Sequence, residues 1–146
     1  MYLNLPKKDN SLAMIENLIN NEKNMFFLIA GPCVIEGEEK TYQIAEKIFE
    51  ITKKHEIPLI FKASYKKANR SRIDSFTGIG DQKGLNILKN ISENFKIPVT
   101  TDVHSSEEVG LASKYVQMIQ IPAFLCRQTD ILINAGKTNK YVNIKK

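Results

Sequence analysis

Eleven consecutive residues, Lys62-Ala63-Ser64-Tyr65-Lys66-Lys67-Ala68-Asn69-Arg70-Ser71-Arg72, gather three lysines, two arginines and three short hydrogen-bonding side chains. That concentration suits a polyanion, because guanidinium forks match phosphate or carboxylate oxygens and ammonium groups neutralise their charge. A phosphorylated metabolite fits better than DNA, since the segment lacks a groove-reading helix. The bland alternative is a basic surface loop. Other polar groups follow short apolar runs in the same way. Gly31, Pro32 and Cys33 come after residues 26–30, Asp102 and His104 close 99–103, Gln120 and Pro122 end 118–121, and Lys145 follows 141–144. Parallel sheets and barrels build active sites from such groups at the carboxyl ends of successive strands. Five in register are hard to attribute to chance.

The elements that must position these groups are read from periodicity. Short runs rich in Ile, Val and Phe alternate with stretches of helical period, the signature of an α/β chain with a parallel sheet and crossover helices. Strands are expected over 26–30, 59–62, 99–103, 118–121 and 141–144, with Pro58 and Pro98 just before two of them, where a missing donor costs little. Ile44, Ile48 and Ile51 form one helical stripe, and Gly84, Leu88, Ile91 and Phe95 a second. Ser105 with Glu108 reads as a capping box opening a third helix, and 129–137 as a short fourth. Residues 1–24 read as a polar extension with one amphipathic patch at Leu12, Ile15 and Leu18; residues 25–146 carry the alternating pattern. Gly78-Ile79-Gly80 reads as a flexible connection.

Composition narrows the class. The chain has 146 residues, 42% apolar and 25% charged, as an ordinary soluble domain does, which excludes disorder, collagen and coiled coil. Its longest apolar run, 25–30, is far short of the roughly 20 residues of a membrane helix, so a cytoplasmic protein without membrane contact is expected. Two cysteines, Cys33 and Cys126, make no disulfide framework. The net charge of +5 is nearly all lysine scattered over helix-like stretches, without aromatic interleaving, so no nucleic-acid partner is expected. The three arginines, Arg70, Arg72 and Arg127, occupy only two short polar segments. The length falls well short of the roughly 250 residues of a closed eight-unit barrel.

Four stretches then carry a family resemblance: Ile29-Ala30-Gly31-Pro32-Cys33, Lys67-Ala68-Asn69-Arg70-Ser71, Thr101-Asp102-Val103-His104 and the run from Gln120 through Pro122, Cys126 and Arg127 to Asp130. In order and spacing they resemble the 3-deoxy-D-manno-octulosonate 8-phosphate synthases from about Phe26 onward. The resemblance implies a (β/α)₈ TIM barrel, present here as about its first five strands and four helices. It also implies condensation of phosphoenolpyruvate with D-arabinose 5-phosphate and water, releasing phosphate, in the biosynthesis of the lipopolysaccharide inner core. By the same resemblance Lys62, Ser64, Lys67, Gln120 and Lys145 surround phosphoenolpyruvate, and Asn69, Arg70 and Ser71 hold the aldose phosphate. Asp102 lies near bond formation, with Lys62, Lys67 and Asn69 beside it in the catalytic group. Arg127 reaches the sugar phosphate of a neighbouring subunit, so a homotetramer is implied.

Cys33 is, on its own, most simply a small buried residue. The resemblance makes it a divalent-metal ligand instead, because the family has a metal-dependent form with cysteine at this position and a metal-independent form with asparagine. The family's other ligands, a His, a Glu and an Asp, belong to its second half, so the metal is expected only in a complete chain. His55 is given no role, His104 reads as a hydrogen-bonded structural histidine, and Cys126 as core. Arg72, Lys66 and Thr77 depart from the family, standing for a small hydroxyl residue, an acidic one and an arginine. The alternatives are 3-deoxy-D-arabino-heptulosonate 7-phosphate synthase, whose loop carries Lys-Pro-Arg-Thr where this chain has Lys67-Ala68-Asn69-Arg70-Ser71, so that Asn69 favours arabinose, and an inactive fragment that only binds phosphorylated ligands or a partner. The 146 residues alone are expected to be inactive.

Overall fold

The structure is a computed structural model that describes residues 10–19 and 26–146. Five strands, β1 (Leu28–Ala30), β2 (Leu59–Lys62), β3 (Val99–Asp102), β4 (Met118–Ile121) and β5 (Tyr141–Ile144), form one sheet in the order β1-β2-β3-β4-β5. Every pairing is parallel. Each strand lies beside its predecessor, which is the winding of a (β/α) barrel and differs from the reversing order of a doubly wound sheet.

The period of two in the strands sorts their side chains into two environments. Leu28, Leu59, Phe61, Val99, Ile119, Ile121 and Val142 meet one core together with Ala45, Leu85, Leu88, Ile91, Val109, Ile131 and Ala135 of the crossover helices. Ile29, Ile60, Met118 and Tyr141 belong to a separate cluster, whose centre is Ile15 of α1 (Asn10–Ile19). The amphipathic patch read in the extension thus becomes a helix that buries Ile15 against the amino-terminal layer of the opposite sheet face. Farther along that face the residues turn polar: Lys62, Asp102, Gln120 and Asn143, with Asp102 opposite Gln120 and Gln120 opposite Asn143 in register.

The crossover helices are α2 (Glu38–Lys54), α3 (Asp81–Phe95), α4 (Ser106–Ala112) and α5 (Thr129–Gly136). The stripe of α3 is buried at Gly84, Leu88 and Ile91, as its period implies, and widened by Leu85, Ile87 and Ser92. In α2 the expected stripe needs correction, because Ile51 is half exposed and the buried positions are Thr41, Ala45 and Thr52. Thr41 and Thr52 can face the core because their hydroxyls donate to carbonyls of the preceding turn, those of Gly37 and Ile48. The first strand is shorter than its apolar run. Phe26 is exposed, and the ladder starts where the Leu28 amide donates to the Pro58 carbonyl. Met25 lies outside the described residues. Ser105 caps α4 by accepting from the Glu108 amide, as the capping-box spacing predicts.

Two glycines permit close backbone approaches that set the rim of the sheet. At Gly31, with φ +153°, a Cβ would meet the Lys62 carbonyl oxygen at 1.9 Å. At Gly78, with φ +149°, it would meet the Tyr65 carbonyl oxygen at 2.5 Å, so this glycine seats the end of its loop as well as connecting it. Gly31→Ala is expected to destabilise the fold by about 2–4 kcal/mol in denaturant unfolding, since both the conformation and the backbone contact resist a side chain.

Candidate active site

At the carboxyl ends of β2 to β5 the inward-facing polar residues form one hydrogen-bonded row. The Asp102 carboxylate accepts from Lys62 Nζ at 2.9 Å and Ser64 Oγ at 2.6 Å on one oxygen, and from Gln120 Nε2 at 2.6 Å on the other. Lys62 Nζ also donates to Ser64 Oγ at 2.7 Å. Gln120 Oε1 in turn accepts from Asn143 Nδ2 at 2.8 Å, which fixes the amide orientation. The side chains of Lys62 and Asp102 are only 18% and 15% exposed. Burial alone raises the Asp102 carboxyl, but the hydrogen bonds of Ser64 and Gln120 and the Lys62 charge outweigh it and hold the group below its ordinary range. The carboxylate is therefore ionised and oriented at neutral pH.

The loop after β2 carries the next wall. Tyr65 N donates to Thr101 Oγ1 and Lys67 N to the Thr77 carbonyl, so the segment folds back over the sheet end. Lys67 Nζ lies 2.6 Å from Cys33 Sγ at the end of β1. This contact lowers the thiol pKa against the opposing effect of burial, with further help from the charges of Lys67, Lys62 and Arg70. Across the loop, Lys66 Nζ donates to Glu108 Oε1 at 2.9 Å, while Glu108 Oε2 takes the His104 amide at 2.8 Å and contacts the ring Nδ1 at 3.0 Å.

A cavity of about 270 Å³ opens between these walls. Cys33, Lys62, Ser64, Lys67, Asn69, Asp102, Gln120 and Lys145 all line it, so the structure brings together eight of the residues singled out in the sequence. Arg70, Ser71 and Arg127 do not line it; all three are exposed, and Arg70 Nε donates to the Phe76 carbonyl at 3.1 Å. Lys66, His104, Pro122, Ala123 and Phe124 complete the lining. Four lysines face one carboxylate there, which gives the concavity a positive field suited to a small, multiply charged anion. A second, larger cavity of about 540 Å³ lies at the amino end of the strands, where Lys89, Lys96, Lys114 and Lys140 line it together with Ser92, Glu93 and Gln117. It shares none of the strand-end groups.

Sequence reading did not single out Asn143, and it treated Glu108 only as a cap. Asn143 was accessible in principle, because it shares the period-two face of Lys145. His104 is hydrogen-bonded as expected, yet it also borders the cavity.

The residues present do not by themselves fit a divalent metal. Among the described residues no three His, Cys, Asp or Glu side chains gather closely enough to hold an ion, and Cys33 faces a lysine. Among the described residues no helix is long and apolar enough to cross a membrane.

Comparison with known proteins places this geometry in a family. Residues 7–146 match the model of the DAHP synthetase I family. The 2-dehydro-3-deoxyphosphooctonate aldolase of Desulfatibacillum aliphaticivorans is 55% identical over 119 residues, covering 82% of this chain and 44% of that protein. The proteins of the same name from Koribacter versatilis and Rickettsia typhi are 53% and 50% identical, over 82% and 92% of this chain and 43% and 49% of theirs. The chain thus spans less than half the length of these curated relatives. With five parallel strands in sequential order and polar residues lining a cavity at their carboxyl ends, the chain belongs to the DAHP synthetase I family and supplies part of its (β/α)₈ barrel.

Proposed function

We propose that the enzyme containing these residues condenses phosphoenolpyruvate with D-arabinose 5-phosphate and water to give 3-deoxy-D-manno-octulosonate 8-phosphate and inorganic phosphate. The observation that carries this reading is the cavity itself, in which Lys62, Lys67 and Lys145 converge with the ionised Asp102 and the fixed Gln120 amide. Phosphoenolpyruvate bears a phosphate and a carboxylate. Ammonium groups already in place stabilise it on binding, and they stabilise the charge that grows on the departing phosphate. Asp102, held by three donors, is a fixed anion beside the forming carbon–carbon bond, where it orients the aldose. Asn69 on the cavity wall and Arg70 and Ser71 on the adjoining loop hold the sugar phosphate.

In this reading Arg127, which is exposed after the 3₁₀ turn Ala123–Leu125, serves the sugar phosphate of a neighbouring subunit in a cytoplasmic homotetramer. Cys33 contributes one thiolate to a divalent metal in the complete enzyme, and this metal needs ligands beyond those gathered here. No role for nucleic acid enters.

The substrate choice is tested by joining these residues to the remaining sequence of the Rickettsia typhi relative and following phosphate release from phosphoenolpyruvate. At least tenfold greater kcat/KM with arabinose 5-phosphate than with erythrose 4-phosphate is expected. Equal or faster turnover with erythrose 4-phosphate would assign the heptulosonate reaction instead.

A further inference from the structure

The cavity is rich in donors and poor in acceptors. Its lysines donate, the Gln120 amide nitrogen is committed to Asp102, and the side-chain acceptors left are the Asn69 carbonyl and an Asp102 carboxylate with three of its roughly four acceptor sites taken. Phosphoenolpyruvate, when fully ionised, has only acceptors, and this lining matches it. An aldose phosphate differs chemically because it also brings hydroxyl donors, which need acceptors to bind without loss.

His104 adds a further acceptor. Its side chain is 11% exposed, borders the cavity and stacks on Phe124 with ring centroids 6.3 Å apart. The Nδ1 edge faces Glu108 Oε2 at 3.0 Å, and the same oxygen takes the His104 amide at 2.8 Å. A carboxylate is an acceptor only, so the partner assigns a proton to Nδ1, and the neutral ring with that tautomer carries its lone pair on Nε2. Glu108 keeps its charge for this task. Burial raises its carboxyl, yet the bonds from the His104 ring, Lys66 and the His104 amide bring it down to about 2. Lys66 reaches it from the sugar-binding loop, 42 residues away, and so ties that loop to the His104 wall.

We infer that His104 Nε2 accepts a hydrogen bond from a hydroxyl of the aldose phosphate, and that Glu108 is the positioning residue that fixes the required tautomer. This inference rests on the proposed function, which supplies the aldose. It gives the cavity a discriminating element: an acceptor that contributes to binding of the hydroxylated substrate and nothing to binding of phosphoenolpyruvate.

Only two histidines are present, and His55 lies exposed on the surface, so nitrogen-15 NMR of the 146-residue chain resolves the question directly. At pH 7.5 the His104 signals should show a protonated Nδ1 and a bare Nε2. Added D-arabinose 5-phosphate should move the Nε2 signal saturably, phosphoenolpyruvate should not, and His55 should be unaffected by both. Glu108→Gln should mix the tautomers and weaken arabinose 5-phosphate about tenfold, with phosphoenolpyruvate affinity within about twofold. If that variant fails to fold, His104→Phe, which keeps the stack, should show the same selective loss, and His104→Gln, whose carbonyl restores an acceptor, should recover part of it. Binding that shifts the Asn69–Ser71 signals while His104 stays unmoved would overturn this inference and leave the proposed function standing. An imidazolium or an Nε2–H tautomer in the unliganded chain would overturn it too. Absence of any sugar phosphate binding to the folded chain would overturn it as well, whereas the proposed function falls only if the joined enzyme releases no phosphate with arabinose 5-phosphate.

Discussion

Replacing Lys62 with Met is expected to lower kcat/KM for phosphoenolpyruvate by about 10²–10³-fold in the complete enzyme, the usual range for removing one preorganised charge from a reacting phosphate. The effect has two sources in the structure. Lys62 Nζ is held by both Ser64 Oγ and Asp102 Oδ2, so its charge is aimed before substrate arrives and no reorganisation is needed. Without it, Asp102 keeps Ser64 and Gln120 but loses its counter-charge at 15% exposure, and its carboxyl pKa rises. Some loss of stability should accompany the kinetic effect, about 1–3 kcal/mol, because breaking a largely buried pair leaves a charge uncompensated. Steady-state kinetics with phosphoenolpyruvate varied, together with denaturant unfolding, would check both halves. A Lys62→Met enzyme within threefold of the parent would remove Lys62 from the site.

The second large effect is expected at Arg70. Its Nε donates to the Phe76 carbonyl, which orients the guanidinium on the loop. Arg70→Lys preserves the charge and loses both the anchoring bond and the fork, so the KM for arabinose 5-phosphate should rise about tenfold or more while that for phosphoenolpyruvate stays within about twofold. The contrast with Lys62 is the informative part: one variant injures the use of phosphoenolpyruvate, the other that of the sugar phosphate. Equal rises in both Michaelis constants would show that the loop after β2 does not divide its cations between two substrates.

How far the sequence carries the site can be judged on particular residues. The alternation in Leu59-Ile60-Phe61-Lys62 and Met118-Ile119-Gln120-Ile121 assigns each side chain to a face, because a strand's period is two and one face must pack on helices. That suffices to put Lys62 and Gln120 at the same end of the same face. It does not say who touches whom. The bond from Gln120 to Asp102, and the bond Gln120 receives from Asn143, follow from inter-strand register, a property of packing across residues far apart in the chain. Glu108 shows the same limit. Its spacing from Ser105 announces a cap, but its ties to Lys66 and His104 exist only once the loop after β2 has folded against α4. Ile51 erred for a different reason: threonines at 41 and 52 satisfy their hydroxyls within the helix and turn inward, rotating the buried face away from the apolar stripe.

The central claim is that the polar groups at the carboxyl ends of β2 to β5 form one site for phosphoenolpyruvate. NMR titration of the 146-residue chain with phosphoenolpyruvate tests it most directly, through the side-chain amides of Gln120 and Asn143, which lie in the row, and the backbone amides around Lys96, Lys114 and Lys140, which border the larger cavity at the opposite end. The account predicts saturable shifts of Gln120 and Asn143 that vanish in Lys62→Met, with the distant amides unmoved. Shifts confined to the opposite cavity, or none at Gln120 and Asn143 in a folded chain, would contradict it.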